Sequence, residues 1–234
     1  MTSRAFVCLV ACALVAACSR SQNSDDAFVR VSAALRPSVV LLTMDVPGNS
    51  RREAPDSEYA TGIVVASGTW GSDILTVEHA TEQAWNLRVT IDNKIKVPGR
   101  VIARNSDLDV ALVRIHRGNL PVAKLGTSAD AQPGRMIGLL GYPIPDQFDD
   151  EGYGLATSLN SGRVSSLRED AIEVTLPIVP GESGSPIFLS DNGEIIGMAE
   201  SRFDLERSIG FAVPIDDAKR FLRKHDAAHG FSSP

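Results

Sequence analysis

Residues 87–115 read LRVTIDNKIKVPGRVIARNSDLDVALVRI and contain three short runs rich in β-branched residues, separated by Asp, Asn, Gly and Pro. Runs of this kind, bounded by turn formers, predict β-strands. Leu87–Ile91 partly alternates between apolar and polar side chains, as a half-buried strand does. The pattern continues on both sides of this stretch, so the sequence predicts an all-β chain that folds as a barrel or a sandwich.

Two series of such runs follow each other along the chain, with a loop-like segment at 118–133 between them. The first series is Val39–Met44, Thr61–Ser67, Asp73–Thr76, Leu87–Ile91, Lys96–Ala103 and Val110–Ile115. The second is Arg135–Leu140, Gly154–Leu159, Gly162–Leu167, Ile172–Leu176, Ser185–Leu189, Glu194–Glu200 and Ile209–Val213, with a hairpin turn predicted at Asp191-Asn192-Gly193. Short helices are predicted at 27–35 and at about 216–228.

The composition is typical of a globular protein and disfavours one class of function. The chain has 234 residues, 43% of them hydrophobic and 22% charged, which is ordinary for a globular protein. Its net charge of −6 argues against nucleic-acid binding through a broad basic face.

The first 18 residues carry all three cysteines and an apolar run from Ala5 to Ala17. This run predicts a signal peptide over residues 1–17, too short to span a bilayer by itself. Its end, Leu-Val-Ala-Ala-Cys18, resembles a bacterial lipobox, so we expect Cys18 to be lipidated and residues 18–26 to form a tether. The protein would then face the periplasm, and Ser19 favours the outer membrane. The alternative is a plain secretory signal with an incidental cysteine.

The candidate nucleophile lies in the segment Gly181-Glu182-Ser183-Gly184-Ser185-Pro186. A glycine-flanked serine can expose its hydroxyl beside backbone N–H groups, as an activated nucleophile with an oxyanion hole requires. Of the four histidines, His79 follows an apolar strand and is the candidate general base. The remaining three histidines are interpreted as surface residues: His116, His225 and His229.

An acid should orient His79, and two aspartates compete for this role. Asp109 stands at the start of an apolar strand and is preferred over Asp107, which lies further into the polar loop. The backbone N–H groups of Gly181 and Ser183 are the candidate oxyanion hole. Together these residues predict a serine hydrolase.

Three motifs in this order resemble one family: Thr76-x-x-His79-Ala80, Asp109-x-Ala111-x-Val113 and Gly181-x-Ser183-Gly184-x-Pro186. They are similar to the His, Asp and Ser motifs of trypsin-like serine proteases, and the segment Ile209–Pro214 resembles the last strand of the bacterial HtrA/DegP-like group. The resemblance covers roughly residues 27–224.

The resemblance implies two six-stranded antiparallel β-barrels, at about 37–117 and 133–214, within a protease domain that we place at 27–234. The triad would lie in the cleft between the barrels, with His79 and Asp109 from the first and Ser183 from the second. The implied activity is cleavage of polypeptides through an acyl-enzyme, with no metal or organic cofactor. HtrA relatives often form trimers, but no trimer contact is recognisable in the sequence.

Several positions depart from the family pattern. Glu78 and Glu182 add carboxylates beside the histidine and the serine, so we expect a raised pKa for His79 and a pH optimum above neutrality. Ser185 replaces the second glycine of the usual pair, a change that secreted glutamyl endopeptidases share. The few residues after the last helix predict that no PDZ domain follows.

The resemblance places Pro177 where trypsin-like pockets keep their selecting residue, with Ile178 and Ile209 beside it. Without an acidic residue there, we expect cleavage after small or medium apolar side chains. The leading hypothesis is therefore a lipid-anchored serine endopeptidase of the bacterial cell envelope. A proteolytically inactive binding module is the alternative, and an esterase is a third, disfavoured because Ser185 breaks the Gly-x-Ser-x-Gly elbow.

Overall fold

The computed structural model describes residues 26–48, 56–200 and 209–229, which form mostly β-strands. The predicted signal peptide, Cys18 and nearly all of the predicted tether lie outside the described residues. A helix, α1, is present over residues 26–35 and is followed by the first strand. Among the described helices, none is both long and apolar enough to cross a membrane.

The first six strands close into an antiparallel barrel in the order β1-β2-β3-β6-β5-β4. Their bounds are β1 Val39–Val46, β2 Asp56–Gly68, β3 Gly71–Thr76, β4 Trp85–Ile91, β5 Ile95–Asn105 and β6 Val110–Ile115. All six predicted runs of the first series are strands, and β2 begins five residues earlier than its run because it pairs with β1 as far as Val46↔Asp56.

The next six strands close into a second antiparallel barrel in the order β10-β11-β12-β9-β8-β7. Their bounds are β7 Met136–Gly141, β8 Ser158–Leu167, β9 Ile172–Val174, β10 Pro186–Leu189, β11 Ile195–Glu200 and β12 Gly210–Pro214. The predicted pair of six-stranded barrels is confirmed. The predicted turn at 191–193 lies between β10 and β11, where the Gly193 N–H donates to the Leu189 carbonyl at 2.9 Å.

Two details of the second series were predicted incorrectly. The runs at 154–159 and 162–167 are not separate strands, because one strand, β8, pairs continuously with β7 from Met136↔Arg163 to Gly141↔Ser158. The residues before Ser158 instead belong to a long connection that contains a short helix, α2 (Pro145–Asp150). The polar composition of this connection gave no helical periodicity to recognise.

The barrels pack against each other and against the last helix, α3 (Ile215–His229). One apolar core fills the first barrel and extends to Leu140, Phe188 and Met198 of the second. Ala218 and Phe221 of α3 are buried in the same core, as the predicted apolar stripe required. A smaller core fills the interior of the second barrel. This packing fixes the facing ends of the strands, which is where the candidate site lies.

Candidate active site

His79 and Asp109 are brought together by the pairing of two strands. His79 opens a 3₁₀ turn three residues after β3 ends, and Asp109 directly precedes β6. Since β3 and β6 pair with Thr76 opposite Ala111, both side chains emerge at the same end of the first barrel. The register of the sheet alone therefore places the two residues near each other.

The Asp109 carboxylate holds His79 at two points. The His79 Nδ1 lies 2.8 Å from Oδ2, and the His79 backbone N–H donates to Oδ1 at 2.9 Å. A carboxylate only accepts hydrogen bonds, so Nδ1 carries the proton and Nε2 keeps its lone pair. Asp109 is 4% exposed, so little water competes for this contact. Imidazole orientation and tautomer are thus fixed for general-base chemistry at Nε2.

The competing aspartate, Asp107, is exposed in the turn before β6. The chain turns here through a hydrogen bond from the Asp109 N–H to the Ser106 carbonyl at 3.3 Å, and Asp109 adopts φ +51°. This left-handed conformation, which aspartate tolerates better than most residues, turns Asp109 back toward the barrel. Of the two aspartates, the structure brings Asp109 to the histidine.

Ser183 lies in a tight turn that packs against the first barrel. Gly181 and Gly184 flank it with φ values of +90° and +87°. The Thr61 N–H of β2 donates to the Ser183 carbonyl at 2.8 Å. A Cβ added at Gly184 would lie 2.1 Å from the Thr61 carbonyl oxygen and 2.5 Å from Thr76 Oγ1. The nucleophile turn therefore lies against the end of β3, the strand that leads to His79.

The peptide groups around Gly181 and Ser183 have defined orientations. The Pro180 carbonyl accepts from the Ile144 N–H at 2.7 Å, and the Glu182 carbonyl accepts from the Ser185 N–H at 2.9 Å. Because N–H and C=O of a trans peptide point in opposite directions, the N–H groups of Gly181 and Ser183 point away from these donors. These hydrogen bonds thus fix the orientations of the two peptide groups whose N–H groups are the predicted oxyanion hole.

Two supporting residues of this turn were missed in the sequence. Thr61 Oγ1 donates to the Gly181 carbonyl at 2.8 Å and accepts from the Tyr142 N–H at 3.1 Å. Ile144, which binds Pro180, has φ +35° and directly precedes α2. No local pattern marks Thr61 for this role, because its partners lie 81 and 120 residues away.

Glu182 is completely buried beside the nucleophile. Its Oε2 accepts from the Val179 N–H at 3.0 Å, and its Oε1 accepts a longer hydrogen bond from Asn160 Nδ2 at 3.5 Å. Burial raises the pKa of Glu182 to about 7, and the hydrogen bond from Val179 acts in the opposite direction. Glu182 is therefore partly protonated at neutral pH. This weakens the expectation that it adds a full negative charge beside His79.

A carboxylate that was not singled out from the sequence, Glu58 of β2, is within electrostatic range of His79. The attraction of His79 lowers the pKa of Glu58, although partial burial has the larger effect and raises it. Glu78, the second carboxylate noted in the sequence, is buried at the start of the His79 turn, where its carbonyl accepts from the Thr81 N–H at 2.8 Å.

The three residues of the predicted apolar pocket lie on two neighbouring segments of the second barrel. Ile178 is half-buried and packs over Gly210, where an added Cβ would meet its Cδ1 at 2.8 Å. Ile209 directly precedes Gly210 and is 42% exposed, so its side chain is accessible beside Ile178. Pro177 is exposed on the same segment. Ile178 thus makes the direct contact with β12. In the part of the chain that the structure describes, no group of three or more His, Cys, Asp or Glu side chains could hold a metal ion.

The sequence profile of the trypsin-like peptidase domain matches residues 60–198, which include most strands of both barrels and all the residues of the candidate triad. The chain belongs to this family of trypsin-like peptidases.

Similar proteins define the group more closely. Serine protease HTRA1 of Xenopus tropicalis is 30% identical over 74% of this chain and 37% of its own length. A periplasmic serine endoprotease of the DegP-like type from Halomonas elongata is 26% identical over 74% of this chain and 36% of its own length. The chain is an HtrA-like protease domain, and the matched region spans little more than a third of these relatives.

Solved structures share the fold. The HtrA-type protease AlgW, solved with a tripeptide, superimposes with a TM-score of 0.69 at 21% identity, over 87% of this chain and 64% of its own. A serine endoprotease from Yersinia pestis superimposes with a TM-score of 0.66 at 22% identity, over 84% of this chain and 65% of its own.

Proposed function

We propose that the protein is a serine endopeptidase that cleaves polypeptides through an acyl-enzyme at Ser183. The observation that carries the proposal is the His79–Asp109 pair, held by hydrogen bonds of 2.8 and 2.9 Å next to a glycine-flanked serine turn. His79 Nε2 accepts the Ser183 proton as the hydroxyl oxygen attacks the scissile carbonyl. His79 then donates that proton to the leaving amine, and water completes the second half of the cycle by the same route.

The N–H groups of Gly181 and Ser183 stabilise the oxyanion of the tetrahedral intermediate. This role is supported by the peptide orientations that Ile144, Ser185 and Thr61 fix through hydrogen bonds. Because these donors are already oriented before substrate binds, no reorganisation is needed as charge develops. Asp109 stays ionised and stabilises the imidazolium that forms on His79.

The acyl side of the substrate places a small or medium apolar side chain against Ile178, Ile209 and Pro177. Support comes from the apolar character of this segment and from the packing of Ile178 over Gly210. Cleavage after Ala, Val or Leu follows, because a cationic side chain would find no carboxylate on this segment.

The protein acts in the bacterial cell envelope, on the periplasmic side. Residues 1–17 serve as the signal peptide, Cys18 carries the lipid, and residues 18–26 tether the protease domain to the outer membrane. The apolar run before Cys18 supports this assignment, and DegP-like relatives that bear the word periplasmic in their names support the compartment. Intact-mass analysis of protein expressed in a bacterium tests it, since acylation at Cys18 adds the mass of the lipid and Cys18→Ala abolishes that addition.

Digestion of casein, with mass-spectrometric mapping of the cleaved bonds, tests the endopeptidase assignment. The proposal predicts internal cleavage with apolar residues on the acyl side, and no cleavage by Ser183→Ala. Hydrolysis of nitrophenyl esters without any cleavage of casein would indicate an esterase. Absence of both activities from folded protein would indicate a binding module.

A further inference from the structure

Glu58 occupies a defined position beside the candidate site. It lies on β2, opposite Met44 of β1 and three residues before Thr61, whose N–H binds the Ser183 carbonyl at 2.8 Å. Three residues of strand span about 10 Å, so Glu58 is close to the nucleophile turn without belonging to it. β2 runs antiparallel to β3 with Ile63 opposite Leu75, so Glu58 lies past the end of β3, at the level of the turn that begins at His79.

The chemistry of the leaving group determines which part of a substrate passes this position. His79 must donate its proton to the leaving amine, so the nitrogen of the scissile bond lies against the imidazole. The residues that follow the scissile bond continue from that nitrogen. Glu58 lies on the first barrel with His79, whereas Ile178 and Ile209 lie beside β12 of the second barrel. The Glu58 carboxylate is therefore on the side of the site that receives the first residues of the leaving group.

The Glu58 carboxylate is available for such a contact. The side chain is exposed, and it forms no hydrogen bond or ion pair with any residue in the described ranges 26–48, 56–200 and 209–229. By contrast, Glu182 is buried and bound to Val179, and Asp109 is bound to His79. Among these three residues beside the site, Glu58 is the one that is exposed.

We propose that Glu58 is a specificity-determining residue that favours substrates with Lys or Arg at the first or second position after the scissile bond. The inference rests on the proposed function, since it requires a scissile bond between Ser183 and His79. It gives the two sides of the site opposite chemistry, with an apolar acyl side at Ile178 and Ile209 and an acidic leaving-group side at Glu58.

Matched peptides test the proposal with the full-length protein at about pH 8, above the usual range for carboxyl groups. Each peptide carries Val before the scissile bond and, at one of the next two positions, either a cation or its neutral counterpart: Arg against citrulline, and Lys against norleucine. We expect kcat/KM to be about three- to fivefold higher for the cationic member, the range of an exposed ion pair. The ratio should approach one when salt is raised from about 50 to 500 mM, because salt screens exposed charges.

Three variants assign the effect to one carboxylate. Glu58→Gln should bring the Arg/citrulline ratio close to one while leaving kcat/KM for the citrulline peptide within about twofold of the wild type. Glu58→Lys should invert the ratio. Asp56→Asn is the matched control, because Asp56 is also exposed on β2 but lies about 7 Å further along the strand, and it should retain the wild-type ratio.

The possible outcomes separate the inference from the function on which it rests. Cleavage of both peptides at equal rates, or a cation preference that survives in Glu58→Gln, would overturn the role of Glu58 and leave the endopeptidase assignment intact. A lower rate of Glu58→Gln on both members of each pair, with an unchanged ratio, would show a general effect on His79 and would also overturn it. Failure to cleave any peptide would overturn both proposals.

Discussion

His79 and Asp109 reach the candidate site from the ends of two paired strands of the first barrel, whereas Gly181 and Ser183 reach it from an irregular segment of the second. The first barrel contributes side chains, held by hydrogen bonds between an imidazole and a carboxylate. The second barrel contributes mainly the backbone conformation of the serine turn, which includes two glycines with positive φ.

The two contributions have different origins. Strand register alone brings His79 next to Asp109, so this half of the site follows from the sheet. The turn at 181–184 has its shape fixed from outside, by Thr61 of the first barrel and Ile144 of the connection before β8. The second half of the site therefore depends on the assembled molecule, and substitutions should affect the two halves differently.

The largest expected effect tests whether residues from both barrels act as one unit. Ser183→Ala and His79→Ala should each lower kcat by about 10⁴-fold or more, with no change in the circular dichroism spectrum. The double variant should be no slower than either single variant, because neither residue is useful without the other. Losses that multiply in the double variant, measured by peptide cleavage, would mean that the two barrels act independently.

The next effect separates turn geometry from simple backbone strain. In Gly181→Ala, the new Cβ would lie 2.3 Å from the Tyr142 carbonyl oxygen, which displaces the turn, and we expect kcat to fall by about 10²-fold. Gly134→Ala is the control, because Gly134 has nearly the same φ, +89°, with nothing within 4 Å of an added Cβ.

Both glycine variants should lose about 1–2 kcal/mol of stability through the strained φ, as measured by urea unfolding. Only Gly181→Ala should lose activity. An equal loss of activity in Gly134→Ala would show that strain in the second barrel, rather than the position of the turn, limits catalysis.

A smaller effect is expected where the first barrel supports the second. Thr61→Val removes the hydroxyl that binds the Gly181 carbonyl and the Tyr142 N–H, and we expect kcat to fall by about tenfold with little change in KM. Thr61→Ser keeps the hydroxyl and should stay within about twofold of the wild type. If Thr61→Ser is as slow as Thr61→Val, the methyl group and its packing matter rather than the hydrogen bonds.

The smallest effect concerns stability and the buried carboxyl of Glu182. Its pKa rises from the ordinary value of 4.5 in the unfolded chain to about 7 in the folded protein. The folded state thus binds more protons between these values, and the free energy of unfolding falls as pH rises from about 4.5 to about 7.

Glu182→Gln removes this titration. We expect the melting temperatures of Glu182→Gln and the wild type to be similar at acidic pH. At pH 8 the variant should be more stable by about 3 kcal/mol, the size of a pKa shift of this extent, which corresponds to roughly 6–12 °C in melting temperature. A gap between the two proteins that is independent of pH would show that Glu182 titrates at its ordinary value.

Most of the barrel strands could be predicted because β-branched runs separated by turn residues are a local signal. Val110–Ile115 was predicted with its observed bounds, since the polar turn before it and the loop after it are both distinct. The prediction was wrong around 154–167, where Asn160 and Ser161 separated two predicted runs but lie within β8. Pairing with β7 outweighs the local turn preference of these residues.

The same distinction between local signals and contacts that only the fold creates applies to the candidate site. His79, Asp109 and Ser183 were recognisable from the sequence because each residue type is required by the chemistry and each lies beside a strand or a glycine. Thr61, Ile144 and Glu58 were not, because their roles depend on neighbours that are distant in sequence. The state of Glu182 was also hidden, since its pKa depends on complete burial and only the fold determines burial.

Labelling with a fluorophosphonate, followed by peptide mapping, tests most directly whether the two barrels together create an activated serine. Wild-type protein should be modified once, at Ser183, and His79→Ala and Asp109→Ala should be modified at least about 10²-fold more slowly, because each loses the base or its orientation. Folded wild-type protein that stays unlabelled, or labelling of Ser183 that proceeds equally fast in His79→Ala, would contradict the account.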